Sequence, residues 1–221
     1  MIRAILFDLD GVLIDSEAYE QRLNARFLEE YNYKTDISAF TSIIGIGAGM
    51  DWRAILKEHM DPRDDKDELL DRWVELMDSK RDDYPFDQLM FPEVPEVLRQ
   101  LKKEGYKLAV CSSSSQYYVD RAIDLCGIRE YLDLAVSGHQ FNRCKPFPDV
   151  YYHARDQFDL TSDECLVVED SVNGILAGLN AGMKVVARKD NTFGMDQSAA
   201  DYMIGDLRQL DDILNQLNRD Q

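Results

Sequence analysis

The chain has 221 residues, 45% hydrophobic and 30% charged, the composition of an ordinary folded protein with a sizeable core, which excludes a disordered or fibrous one. A formal net charge of -17 with no Lys/Arg block excludes nucleic acid and anionic membrane surfaces as partners, and no apolar stretch approaches the roughly 20 residues of a membrane span. A phosphorylated ligand would meet the same repulsion unless a metal ion and a few placed cations reversed the local sign. Cys111, Cys126, Cys144 and Cys165 are widely spaced and form no Cys-x-x-Cys pair, so they read as reduced core residues. With no charged n-region and long apolar h-region at the N-terminus, the expectation is an unprocessed cytoplasmic protein.

Ile2 to Phe7 is an almost unbroken apolar run, which predicts a strand buried on both faces. Asp8 and Asp10 follow, two apart and so pointing the same way, and Gly11 lets the backbone turn. Two carboxylates this close repel by about 4 kcal/mol at an effective dielectric near 20, and a divalent cation is the usual compensation.

From Asp15 to about Gln88 the apolar spacing becomes helical, as in Tyr19, Leu23, Phe27 and Tyr31, and again in Leu69, Leu70, Trp73, Leu76 and Met77. The glycine-rich turn Gly45-Ile46-Gly47-Ala48-Gly49 and the pair Asp61-Pro62 interrupt it and read as connections between helices. Beyond Pro92 and Pro95, strands and helices alternate. Strands are expected at Tyr106 to Cys111, Leu134 to Val136, Cys165 to Val168, Lys184 to Ala187 and Tyr202 to Ile204. Helices are expected at Tyr117 to Leu125, Val150 to Phe158, Val172 to Asn180 and Leu207 to Leu217. The pattern predicts an α/β fold, a parallel sheet with helices on both faces. Residues 1–14 and 89–221 would form the core, and 15–88 an all-helical cap inserted after the first strand.

The strand ends supply the chemistry. Asp8 and Asp10 end the first, Ser112 the second, Glu169 and Asp170 a later one, and Lys145 lies between the last two. Hard oxygen ligands with neither paired histidines nor clustered thiolates suit Mg²⁺. Asp8 is placed to attack a phosphoryl group and form an aspartyl phosphate. Lys145 and the Ser112 hydroxyl would hold the remaining phosphoryl oxygens, and Asp10 would protonate the leaving oxygen and then deprotonate water.

These residues stand in Asp8-Leu9-Asp10-Gly11-Val12-Leu13, in Ser112 at a strand end, in Lys145-Pro146-x-Pro148-Asp149, and in Glu169-Asp170-Ser171 followed by Gly174 and Ala177-Gly178. With them in this order the sequence resembles the haloacid dehalogenase-like superfamily, in the subgroup with a helical cap. The resemblance implies a Rossmann-like core and a Mg²⁺ ion held by Asp8, the backbone carbonyl of Asp10 and Asp170, with Glu169 supporting the metal's water shell. Dehalogenases proper lack the second aspartate, so Asp10 points to a phosphatase for a small phosphorylated metabolite, a sugar phosphate foremost.

A β-phosphoglucomutase-like mutase is the alternative, since the opening through Asp15-Ser16 and the stretch Lys80-Arg81-Asp82-Asp83-Tyr84 are similar to it. The mutase pattern has a histidine where this chain has Glu20, and an arginine where it has the glycine-rich turn, for which Arg53 could substitute. Candidate substrate contacts are Ser113, Lys80, Glu20, Gly47, Trp52 and Arg53, while Trp73 reads as packing. A receiver-like phospho-switch also gathers acids, a hydroxyl and a lysine around Mg²⁺, but its acceptor lies later in the chain and it has no inserted lid. A cap of this size can work in a monomer or weak dimer.

Overall fold

Six parallel strands form the sheet: β1 (Ala4–Phe7), β2 (Lys107–Ser112), β3 (Leu134–Ser137), β4 (Cys165–Glu169), β5 (Lys184–Arg188) and β6 (Tyr202–Ile204). The structure is a computed structural model in which residues 1–45 and 50–219 are described. The strand order is β3-β2-β1-β4-β5-β6, so the first strand lies between the second and the fourth. In register, Phe7 is level with Val110 on one side and Val168 on the other, which aligns the carboxyl ends of the three central strands. Open α/β sheets bind their ligands at such a reversal of strand order.

The helices are α1 (Ser16–Glu30), α2 (Trp52–His59), α3 (Lys66–Lys80), α4 (Phe86–Leu89), α5 (Val94–Lys103), α6 (Gln116–Leu125), α7 (Asp149–Gln157), α8 (Val172–Asn180) and α9 (Leu210–Arg219). Alternation along β1 divides the core between the two sheet faces. Ile5 and Phe7 pack with Leu98, Leu101 and Leu214, whereas Ala4 and Leu6 pack with Tyr151, Ile175 and Val185. Phe27, Phe40, Leu56, Leu69 and Leu70 form a third cluster within the segment between β1 and β2. Each such fully buried side chain contributes about 1.5–3 kcal/mol, so this segment carries its own core.

The expected elements recur with ends shifted by a residue or two, and two corrections are needed. Helix α5 is not among them, since the alternation expected beyond Pro92 and Pro95 begins with the strand at Tyr106. Pro95 instead sits in the first turn of α5, where a missing N–H costs nothing, and Val94, Val97, Leu98 and Leu101 form its buried stripe. The expected helix from Leu207 begins as a 3₁₀ turn, Leu207–Gln209, and becomes α-helical at Leu210.

The chain leaves and re-enters the core side by side. Ile14 bridges Met90, Asp15 N donates to Leu89 O at 2.8 Å, and Phe91 N donates to Leu13 O at 3.1 Å. Among the described residues no helix is long and apolar enough to cross a membrane. All four cysteines are buried, as core residues should be.

Candidate active site

Lys145 is the hub of the sheet's carboxyl edge. It is 3% exposed, and its Nζ donates to Asp8 Oδ1, to Glu169 Oε1 at 2.6 Å and to Cys111 O at 2.8 Å, which uses all three ammonium hydrogens. Burial opposes its charge, but Asp8 and Glu169 outweigh burial and hold the ammonium above the usual lysine range.

Glu169 is fully buried, and both its oxygens are occupied by protein donors. Oε1 accepts from Lys145 and from Tyr151 OH at 2.8 Å; Oε2 accepts from Asp170 N at 3.1 Å and Ser171 Oγ at 3.2 Å. Glycine is required above it, because a Cβ on Gly174 would fall 1.8 Å from Glu169 Oε1. Gly11 is required for two reasons: its φ is +73°, and a Cβ there would fall 2.0 Å from Asp170 Oδ2.

Asp8, Glu169 and Asp170 each offer an oxygen within 4.8 Å of the others. Burial first, then Glu169 and Asp10, push Asp8 up to about 8 against the pull of Lys145. Burial, Glu17, Glu169 and Asp8 hold Asp170 well above the ordinary carboxylate range. Carboxylates that resist ionisation together in one pocket fit a divalent cation, and an all-oxygen donor set fits Mg²⁺. Asp8 and Asp170 are the groups that would face it, since Glu169 is committed to Lys145, Tyr151 and the start of α8.

The Asp10 carboxylate is fixed by three hydroxyls. Oδ1 accepts from Ser16 Oγ at 2.6 Å and Tyr118 OH at 2.9 Å, and Oδ2 from Ser114 Oγ at 3.0 Å. Ser112 is 1% exposed and its Oγ accepts from Ser114 N at 3.0 Å, whereas Ser113 and Ser114 line the cavity. That cavity, about 250 Å³, has Asp8, Asp10, Lys145 and Asp170 on its sheet side. Across from them stand Glu17 and Glu20 of α1, with Phe40 and Trp73. Burial, with Asp10 next, pushes Glu20 up to about 7, although Tyr84 OH donates to it at 3.1 Å. Burial, then Asp10 and Asp8, push Glu17 up to about 8.

The structure therefore brings together Asp8, Asp10, Lys145, Glu169 and Asp170, with Ser112 buried behind and Ser113 and Glu20 on the cavity wall. Other expected contacts lie elsewhere. Trp52 packs edge-on against Trp73 at 5.5 Å, and it is Trp73, read as packing, that lines the cavity. The Arg53 guanidinium lies over Trp52 and pairs with Asp71 at 2.8 Å, so it is directed away. Lys80 ends α3 and does not line the cavity. Gly47 lies outside the described residues. Glu17, Ser16, Tyr118 and Tyr151 were not singled out from sequence. Only Ser16 and Glu17, directly after the first motif, carried a local signal.

Known proteins match along the chain. The haloacid dehalogenase-like hydrolase family matches residues 5–188. A phosphoglycolate phosphatase of Aquifex aeolicus is 33% identical over 189 residues, 83% of each chain. The pyrophosphatase PpaX of Bacillus cereus is 26% identical over 99% of each. Among solved structures, a conserved haloacid dehalogenase-like protein of Agrobacterium tumefaciens has a TM-score of 0.76 at 26% identity, covering 99% of this chain and 100% of that one. CbbY of Rhodobacter sphaeroides, in complex with phosphate, shares the fold with a TM-score of 0.72 at 23% identity over 95% and 96% of the two chains. With its acidic strand ends, buried lysine and inserted helical segment, the chain belongs to the haloacid dehalogenase-like hydrolase family.

Proposed function

We propose that the protein is a Mg²⁺-dependent phosphatase that hydrolyses a small phosphorylated metabolite, a sugar phosphate, through an aspartyl phosphate on Asp8. In this reading residues 15–88 are a cap over a catalytic core of 1–14 and 89–221. The observation that carries it is the placement of Asp8: Lys145 grips one oxygen, Asp10 stands beside it on three hydroxyl donors, and a cavity opens over both. Relatives named as phosphatases support the reaction class.

Mg²⁺ would be held by Asp8 and Asp170 and would neutralise charge on the phosphoryl oxygens. An Asp8 carboxylate oxygen attacks phosphorus while the bond to the leaving oxygen breaks, and Asp10 delivers its proton to that oxygen. Asp10 then takes a proton from water, whose oxygen attacks phosphorus and breaks the bond to Asp8, releasing phosphate. Lys145 holds Asp8 in line, and Ser113 offers its hydroxyl to the phosphoryl oxygens, the single hydroxyl hydrogen of Ser114 being given to Asp10. A mutase would also have to hold a second phosphate, and Glu17 and Glu20 facing Asp8 across the cavity favour hydrolysis. Asp10 next to Asp8 likewise favours turnover over a persistent phospho-switch.

The test is turnover of an aryl phosphate by Asp8→Asn. Turnover should vanish while the thermal melt stays cooperative; full activity in that variant overturns the proposal.

A further inference from the structure

We propose that the cavity selects phosphomonoesters whose leaving group is an uncharged, hydroxyl-bearing alcohol and rejects those carrying a second phosphate or carboxylate, with Glu17 and Glu20 as specificity-determining residues. The inference rests on the phosphatase reading and deepens it.

The wall opposite Asp8 is one face of α1. Glu17, Glu20, Gln21 and Asn24 all line the cavity, and their spacing of three, four and seven residues places them in a single polar stripe. Asn24 is 4% exposed, and its Oδ1 accepts from Trp73 Nε1 at 2.8 Å. Indole is a donor only, so this bond fixes the amide orientation and leaves the Asn24 NH₂ donors for a ligand. Carboxyls and amides in a row beside the Trp73 ring suit a partner with several hydroxyls and an apolar C–H face.

The charges point the same way. Among the described residues lining the cavity, Lys145 is the one cation, and its three hydrogens are already committed to Asp8, Glu169 and Cys111. Residues 46–49, Ile-Gly-Ala-Gly, add no charge. A second anion on the leaving group would therefore be buried against carboxyls with no free side-chain cation among the described lining residues to pair it. Ionised, Glu17 and Glu20 repel it; protonated, they still supply no positive charge. A hydroxyl finds a partner in either state.

The experiment compares isosteric pairs: 2-hydroxyethyl phosphate with phosphoglycolate, and glycerol 3-phosphate with 3-phosphoglycerate. Each is assayed for phosphate release and for competition against aryl phosphate turnover. The neutral member should lead by at least about tenfold in kcat/KM or in inhibition constant, a difference of about 1.4 kcal/mol. Glu17→Gln and Glu20→Gln should narrow that ratio by improving the anionic member. Equal or better handling of the carboxylates by the unaltered protein overturns the inference, as does a ratio unchanged in both variants. Aryl phosphate turnover separates the two readings: if it depends on Asp8 while carboxylates are preferred, only the specificity falls; if it is absent, the phosphatase reading falls.

Discussion

Adding Mg²⁺ to the metal-free protein should raise its melting temperature, and by more at alkaline than at acidic pH. Asp8 is raised from an ordinary 3.8 to about 8 by burial and by neighbouring carboxylates. A group whose folded value is raised contributes stability that is complete below its unfolded value. That contribution is lost as the pH climbs through the folded value. Without a cation, Asp8 therefore weakens the fold between about pH 4 and pH 8, and Asp170, also held above the ordinary carboxylate range, acts in the same direction. Glu20 and Glu17, raised to about 7 and about 8, act in the same direction. A divalent ion held by Asp8 and Asp170 would offset the cost of ionising them. At a hundredfold excess over its dissociation constant it stabilises by about 2.7 kcal/mol. For a chain of this size that is a rise of about 5–10 °C. Melts with Mg²⁺ or chelator at about pH 5.5 and about pH 8 should show a small increment at the first and the full one at the second. Asp170→Asn should abolish it. The same increment at both pH values, or its survival in Asp170→Asn, would refute the reasoning.

Three further outcomes follow from contacts at the site, and a fourth substitution, at Gly205, is their control. Lys145→Met leaves Asp8 and Glu169 buried without their cation and should cost about 3–5 kcal/mol in denaturant melts, together with all turnover. Gly174→Ala drives a methyl into the Glu169 carboxylate and should cost at least about 1–3 kcal/mol with a fall in kcat. Gly205→Ala, whose nearest neighbour would be 3.9 Å away, should stay within about 0.5 kcal/mol. Tyr118→Phe removes one of three donors to Asp10; about 1.5 kcal/mol for a bond to a charged group predicts roughly a tenfold loss in kcat, with KM unchanged in steady-state assays.

The sheet and its acidic edge were legible because both are written locally. A strand buried on both faces must be a run such as Ala4–Phe7 or Cys165–Glu169, and the polar residues that end those runs fall on one edge whenever the strands are parallel and in register. What the sequence did not reveal depends on how distant elements meet. Glu17 directly follows the first motif but otherwise reads as an ordinary acid in a helix's first turn, and its place on the cavity wall with Asp10 depends on how α1 packs. Trp52 and Trp73 have similar sequence surroundings, yet α3 turns Trp73 toward Asn24 and the cavity while Trp52 packs behind it. Tyr118 and Tyr151 belong to helices on opposite faces of the sheet, and no local pattern assigns one to Asp10 and the other to Glu169.

The same network that holds Asp170 also reaches the two connections to the inserted segment. Gln197, 5% exposed, donates from Nε2 to the backbone carbonyls of Asp170 and Arg188. Arg188 donates to Val12 O at 3.2 Å, pairs with Glu93 at 2.8 Å, and lies with its guanidinium 3.5 Å over the Phe91 ring. Val12 lies on the outgoing connection, and Phe91 and Glu93 on the returning one. A buried guanidinium that loses its partners is costly, so Arg188 favours the one register in which both connections meet it. The position of α1, and with it of Glu17 and Glu20, is thus tied to Asp170 through buried polar contacts as well as through the apolar packing of the segment itself.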